Sequence, residues 1–284
     1  MFRNICIAMA ACVVAAHAVA DSRQLGTGAA MQIEGASGSG IVPWATIAGY
    51  GEIGEFDLNA GYTFVDTDDY ELDVMGVSVG WSNRVELSFA RQELDLITLG
   101  PAIGLPGATL EQDVFGAKVR LAGNLVYTRM PQISLGVQYK KTKNFLIPQT
   151  VGALDDSDFD YYLSATKLFL GQPAGLNGFA TMTLRSTRAN ETGLLGFGGD
   201  NSNDRHYEME SAIGLFLTRK VALGFDFRRK SSNLTFATED HWRDLFVAWV
   251  PNRHVSVVAA YVDLGDIATL EDQTGYYLSI NGSF

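Results

Sequence analysis

Ile133-Ser134-Leu135-Gly136-Val137-Gln138-Tyr139-Lys140 alternates an apolar side chain with a small or polar one at every step. Successive side chains of an extended strand point to opposite faces, so this stretch has one greasy face and one wet face. The pattern returns along the chain. Residues 56–64 alternate in the same way. Val85, Leu87 and Phe89 alternate with Glu86 and Ser88, and Phe115, Ala117, Val119 and Leu121 with Gly116, Lys118 and Arg120. Val221, Leu223, Phe225 and Phe227 alternate with Ala222, Gly224, Asp226 and Arg228. The segments run to about ten residues, whereas globular strands average about five or six and tilted membrane strands need about 9–11. Mid-strand charges such as Lys118, Arg120 and Asp226 are costly in a packed core. A strand with lipid on one side and water on the other accommodates both facts.

The connections agree. Short links at residues 81–83, 218–220 and 251–253 alternate with longer ones at 97–110, 144–157, 189–204, 231–239 and 265–273. Short inner turns and long outer loops are the habit of outer-membrane barrels. The predicted class is therefore all-β, a transmembrane antiparallel up-and-down β-barrel. Thirteen segments stand out: 42–50, 55–64, 69–80, 84–95, 112–122, 132–142, 158–169, 176–187, 205–217, 220–230, 241–250, 254–263 and 274–284. An even count with both ends on the inner side requires one more strand, placed at 29–35, which makes 14 the preferred number. Twelve strands, with residues 21–40 as a tail or plug, is the alternative.

Composition excludes other classes. The 284 residues include 30 Gly, 16 Phe and 11 Tyr but only 7 Pro, with 47% hydrophobic residues. Such a chain is neither collagenous nor disordered. Residues 1–20 read as a cleaved signal peptide: Arg3 is the positive head, Ile5 to Ala16 an apolar stretch too short to span a bilayer, and Ala18-Val19-Ala20 the cleavage pattern. Lipoprotein processing at Cys12 is the weaker alternative, because Met9-Ala10-Ala11 fits poorly before it. Cleavage removes both cysteines, Cys6 and Cys12, leaving 21–284 as a single barrel domain without a thiol. It also removes Arg3 from the 21 basic residues, so 20 face 32 acidic ones and the net charge moves from −11 to −12. An acidic exported chain is a poor nucleic-acid binder. The predicted location is the outer membrane of a Gram-negative bacterium.

The last segment ends on an aromatic. Tyr276, Leu278, Ile280 and Phe284 share one face and resemble the closing strand that the barrel-assembly machinery reads. The segments at residues 34–44, 187–200 and 260–265 resemble an uncharacterised proteobacterial family, the domain of unknown function 3034. That resemblance covers nearly all of the mature chain and implies an exported outer-membrane barrel, without an activity.

Function must come from the wet face. Glu55, Asp57, Glu86, Asp160, Glu208, Glu210 and Asp226, with Lys118, Arg120, Lys140, Arg185 and Arg228, are the candidate lumen-lining residues. A charged water-filled lumen predicts a passive porin-like channel for small hydrophilic solutes. The bland reading is a narrow barrel whose charges pair across strands. Acidic loops (Asp66, Asp68, Asp69 and Asp73; Asp155, Asp156 and Asp158; Asp200 and Asp204; Glu239 and Asp240; Asp266, Glu271 and Asp272) suggest mild cation preference by field focusing. They also admit a non-conducting structural or adhesive barrel that binds a partner or divalent cations. The Gly-rich loop 189–204 is either a constriction or an exposed flexible loop. His254 and Ser256, two residues apart on one face, are the material for a lipid-modifying enzyme, but sit at the inner end with no third orienting residue nearby in sequence. No enzyme activity, catalytic residue, cofactor or metal site is expected, since His206, His241 and His254 are scattered and no Cys remains. The expected partners are outer-membrane lipid, the assembly machinery and small solutes. Trp44, Tyr50, Tyr62, Trp81, Tyr127, Tyr161, Trp242 and Trp249 fall near strand ends and suit interfacial girdles.

Overall fold

A computed structural model of the chain describes residues 30–50, 53–172 and 175–284, apart from the side chain of Tyr50. The expected signal peptide and residues 21–29 lie outside the described residues.

Twelve antiparallel strands close into a barrel. They are β1 (Phe56–Thr67), β2 (Tyr70–Trp81), β3 (Val85–Leu96), β4 (Thr109–Ala122), β5 (Gln132–Thr142), β7 (Ser157–Phe169), β8 (Asn177–Thr187), β10 (His206–Phe216), β11 (Val221–Arg228), β12 (Trp242–Asn252), β13 (Val255–Asp263) and β14 (Thr274–Ser283). Two three-residue strands in the outer loops, β6 (Ala153–Asp155) and β9 (Phe197–Gly199), form a separate ribbon. Each barrel strand pairs with the next in sequence, and β14 returns to β1 from Asn59↔Ser283 to Thr67↔Gly275. Leu58 N–H donates to the Phe284 carbonyl at 2.8 Å and Phe284 N–H to the Leu58 carbonyl at 2.9 Å, which lengthens the seam. Closure leaves no unpaired strand edge facing lipid.

The barrel thus has the smaller of the two expected counts. The segment 42–50 alternates as a strand would, yet it pairs with no barrel strand. Together with residues 30–41 it lies inside the barrel, buried almost throughout. An eight-stranded barrel fills its interior with side chains, whereas a wider one does not. Twelve strands leave room for a length of backbone, and this segment occupies it.

Period two holds along the long strands. On β2, β3, β4 and β13 polarity reverses partway, whereas β5, β7, β8, β10 and β11 keep polar residues inward up to their outer ends. Going outward on β3, the outer face reads Val85, Leu87, Phe89, then Arg91, Glu93, Asp95. The inner face reads Glu86, Ser88, Ala90, Gln92, then Leu94, Leu96. On β2, Val79, Val77 and Met75 face out before Asp73 and Glu71, while Ser78 gives way inside to Val74, Leu72 and Tyr70. Below the reversal the outside is a lipid belt including Phe115, Leu135, Leu163, Leu184, Ile213 and Leu245. Above it the wall stands in water, and exposed pairs such as Arg91–Asp113 (2.8 Å) and Arg243–Asp263 (2.7 Å) lie on its outer surface.

Aromatics mark the belt's edges. Trp81 and Trp249 are exposed at the inner end, as is Tyr127 in the turn after β4; Tyr161, Tyr207, Tyr261 and Tyr276 are exposed toward the outer end. Trp44 and Trp242, expected in these girdles, are instead buried inside the barrel. Trp44 is carried inward by the inserted segment and packs on Phe179 at 4.6 Å between ring centroids. On β14, Tyr276 and Leu278 face out, while Phe284 folds its ring over Gly282 and stacks on His254.

Candidate functional site: a barrel interior closed from both ends

The inserted segment docks mainly through its backbone. The Ser37 and Ala48 amides donate to the two oxygens of Glu86 at 3.1 and 2.8 Å. Lys118 Nζ, paired with Glu86 at 3.1 Å, donates to the Ser37 and Trp44 carbonyls at 3.2 Å each. The Ala45 carbonyl accepts from Gln132 Nε2 and Ser134 Oγ, both at 2.6 Å. The Pro43 carbonyl accepts from the hydroxyls of Ser164 and Thr183. The inward residues of β3, β4, β5, β7 and β8 thus supply the partners that buried backbone requires.

Glycines on the wall make space. An added Cβ at Gly61 or Gly76 would stand 2.7 Å from the Met31 Cε, and one at Gly80 would stand 2.2 Å from the Ala48 carbonyl oxygen. Gly61 and Gly76 are cross-strand neighbours, so they form one notch for the Met31 side chain.

Glu34 is the ionic hub of the segment. Its Oε1 meets Lys140 Nζ at 2.5 Å and Arg228 Nη2 at 2.8 Å, and its Oε2 meets Arg185 Nη2 at 3.1 Å. Gln32 Nε2 donates to Oε2 at 2.8 Å. Lys140 also contacts Asp160 at 2.8 Å, and Arg185 contacts Glu210 at 2.5 Å. Three cations and three carboxylates therefore balance in a buried cluster. Removing one partner from such a cluster leaves an uncompensated charge.

The Gly-rich outer loop between β8 and β10 enters from the other end, adopting the constriction form of its two expected states. Glu191, Thr192, Leu194 and Leu195 are buried. Lys140 Nζ donates to the Thr192 carbonyl at 3.0 Å, and Thr142 Oγ1 to the Gly193 carbonyl at 2.6 Å. Lys140 therefore touches both closing elements. Glu191 and Thr192 have φ of 44° and 61°, left-handed values that side-chain-bearing residues hold only when their surroundings impose them. Glu191 pairs with Lys230, and its amide donates to Glu239 Oε1 at 3.1 Å. Burial pushes the Glu239 carboxyl well above the usual carboxylate range; Glu191 adds to the rise and Lys230 opposes it.

Ten of the twelve lumen candidates point inward and are buried: Asp57, Glu86, Lys118, Lys140, Asp160, Arg185, Glu208, Glu210, Asp226 and Arg228. Two sit at the inner rim. Glu55 precedes β1 and is partly exposed; Arg120 reaches the Gly123 carbonyl at 2.7 Å. Sequence reasoning missed Glu34, the residue that gathers three of the candidates. Its signal is a single charge within a run of small residues, Glu34-Gly35-Ala36-Ser37-Gly38-Ser39-Gly40. Several loop acids are engaged by arginine: Asp158 pairs with Arg188 at 2.9 Å and with Arg205 at 2.7 Å. Among the described residues, no three His, Cys, Asp or Glu side chains converge as a metal site. His254 places Nδ1 at 2.9 Å from the Ser283 carbonyl oxygen and receives Arg253 Nε at Nε2, so both ring nitrogens are engaged away from the Ser256 hydroxyl.

The family described as a protein of unknown function, DUF3034, matches residues 27–281. The chain belongs to that family. No curated protein matches the sequence. Among solved structures, the KdgM porin is similar with a TM-score of 0.50 at 10% identity, covering 80% of this chain and 99% of that one. The NanC porin has a TM-score of 0.49 at 11% identity, covering 81% and 98%. The outer membrane phospholipase A of Escherichia coli has a TM-score of 0.43 at 9% identity, covering 80% and 92%. At such identities the likeness is one of fold, that of outer-membrane barrels.

Proposed function

We propose that this protein is an outer-membrane channel of a Gram-negative bacterium, closed at rest and opened when its inserted segment is displaced. The observation that carries this reading is that a continuous segment ahead of β1, belonging to none of the barrel strands, lies buried among their inward side chains. Every barrel strand keeps its neighbours if residues 30–48 leave. The loop 189–199 is the second closing element, and Lys140 couples the two.

Withdrawal exposes a wall carrying Asp57, Glu86, Asp160, Glu208, Glu210, Asp226 and Asp244 against Lys118, Lys140, Arg185 and Arg228. Such a lining suits small hydrophilic solutes and gives mild cation preference. In planar bilayers the intact protein is expected to be mostly silent. A variant lacking residues 30–48 and the loop tip 191–196 is expected to give discrete steps, with a reversal potential of cation-selective sign in a KCl gradient. A doubly deleted barrel that is heat-modifiable, and so folded, yet silent would reject the channel. The many hydrogen bonds and ion pairs that tie the segment to the wall, at Glu86 and Glu34 above all, favour the second reading, a non-conducting structural barrel, and the same recording decides between them.

A further inference from the structure

Above the belt, the outer loops enclose a cavity of about 510 Å³. Leu99, Ile103 and Leu105 of the β3–β4 loop, Leu146 and Ile147 of the β5–β6 connection, and Phe236 of the β11–β12 loop form its walls. Its floor is Tyr70, Leu94, Leu195 and Ile267. Outer loops standing in water have every reason to be polar, yet five of them turn apolar side chains toward one space. Leu146 is 72% exposed and Ile103 49%. Apolar surface gathered into a concave site at this volume is the form of a small-molecule pocket.

We propose that this cavity binds a neutral, apolar small molecule taken from the outside medium. Of the four polar side chains on its lining, Tyr70, Thr150, Glu191 and Thr269, three already make polar contacts, and Thr269 stands exposed at the edge. Glu191 is paired with Lys230 through Oε2 and leaves Oε1 as one open acceptor, the Tyr70 hydroxyl donates to the Ile267 carbonyl at 3.1 Å, and the Thr150 hydroxyl donates to the Leu146 carbonyl at 2.8 Å. A sugar-like ligand entering here would lose the hydration of many hydroxyls and find in exchange one open acceptor, Glu191 Oε1, and the edge hydroxyl of Thr269, against an otherwise apolar lining. An anionic ligand would in addition meet the Glu191 carboxylate at the floor. A lipid chain reaching the cavity from the belt would have to pass the charged outer surface of β3 and β4, where Glu93, Asp95, Glu111 and Asp113 stand. The site therefore fits a free molecule, and its class is hydrocarbon-like, alkyl or aromatic.

Below the floor lies a smaller apolar void of about 40 Å³ that shares Tyr70, Leu94, Glu191 and Ile267 with the cavity. Ile33 and Ile41 of the inserted segment reach that void. A bound molecule thus rests on the elements that close the barrel. The binding itself does not depend on whether the barrel conducts.

The test is photolabelling of the folded full chain in nanodiscs, with labelled residues located by mass spectrometry. Three probes are used: a neutral trifluoromethyl-phenyldiazirine, its para-carboxylate, and a phosphatidylethanolamine bearing a diazirine on an acyl chain. The neutral probe is expected to label the cavity residues saturably and to be displaced by excess unlabelled toluene. Labelling of the belt, at Leu163 or Leu245, is expected to rise in proportion to probe. The double variant Ile103→Gln/Leu146→Gln, changed at exposed positions, is expected to lose cavity labelling about tenfold while belt labelling stays. Cavity labelling that never saturates, or that survives the double variant, overturns the site. Equal labelling by the carboxylate overturns its neutral character, and labelling by the lipid probe overturns the free molecule as its source.

Discussion

On one sector of the barrel wall, β2, β3, β4 and β13, the lower and upper halves obey opposite rules, whereas β5, β7, β8, β10 and β11 carry Lys140, Asp160, Arg185, Glu208 and Arg228 inward near their outer ends. In the lower half, Leu87 and Phe89 face out and Glu86 faces in. A few residues along the same strand, Glu93 and Asp95 face out and Leu94 and Leu96 face in. The backbone is the same and the pleat is unbroken, so the surroundings differ, not the strand. Lipid surrounds the lower half, and its interior holds a backbone segment that needs hydrogen-bonding partners. Water surrounds the upper half, and on this sector its interior holds apolar side chains beneath the apolar cavity, while across the barrel it holds the ionic cluster. Neither half obeys a rule that polar residues line a barrel throughout; each places its polar groups where the adjacent phase can satisfy them.

The sharpest way to probe this arrangement is at the ionic hub of the inserted segment. Glu34→Ala leaves Lys140, Arg185 and Arg228 short of one carboxylate in a fully buried site. Docking of the inserted segment is expected to weaken by about 3–5 kcal/mol, the range found when one partner of a buried ionic cluster is lost. Limited proteolysis of the refolded barrel reads this directly: residues 30–48 become cleavable while the strands stay protected. Protection equal to that of the unaltered protein would remove the hub role from Glu34.

The boundary between the halves is tested by charge insertion. Leu163 faces lipid between Leu135 and Leu184 on the neighbouring strands. Leu163→Arg is expected to destabilise the barrel by about 2–4 kcal/mol, and Glu93→Arg above the boundary by about 0–1 kcal/mol, following the depth dependence of lipid-facing charge. Urea unfolding in vesicles measures both. Equal costs at the two positions would erase the boundary.

The smallest effect concerns pH at the loop closure. The Glu239 carboxyl is raised by burial, so its contribution to holding the loop is fully present below the ordinary carboxylate pKa. It is lost as pH rises through the raised value, where the buried group must ionise beside Glu191. Protease cutting within residues 189–204 should therefore increase toward alkaline pH, and Glu239→Gln should flatten that dependence. An unchanged profile in that variant would assign the dependence to another group.

Twelve barrel strands and the alternation of short inner and long outer connections were legible because period two and turn composition are local properties. The segment at 158–169, for example, corresponds to β7 at Ser157–Phe169. Residues 42–50 show where local reading stops. Their alternation is as good as a strand's, but which phase lies on each side is not written in nine residues. Gly61, Gly76 and Gly80 were similarly mute: a glycine facing inward is a gap until Met31 or Ala48 is known to fill it. Most of the charged lumen candidates were identifiable by parity, yet their joint use was not, because Lys140, Arg185 and Arg228 meet only through Glu34, more than a hundred residues earlier in the chain.

By itself, then, the sequence determined that this chain is a membrane barrel, which residues share a face, and which connections lie on which side. These follow from covalent geometry and from the cost of burying unpaired backbone in lipid. Only the tertiary structure decided that the interior is occupied, that Glu34 of the occupant gathers three wall cations, and that the upper wall of β2, β3, β4 and β13 turns its apolar face inward. Each of these depends on which distant residues a closed cylinder brings together and on what fills the space it encloses.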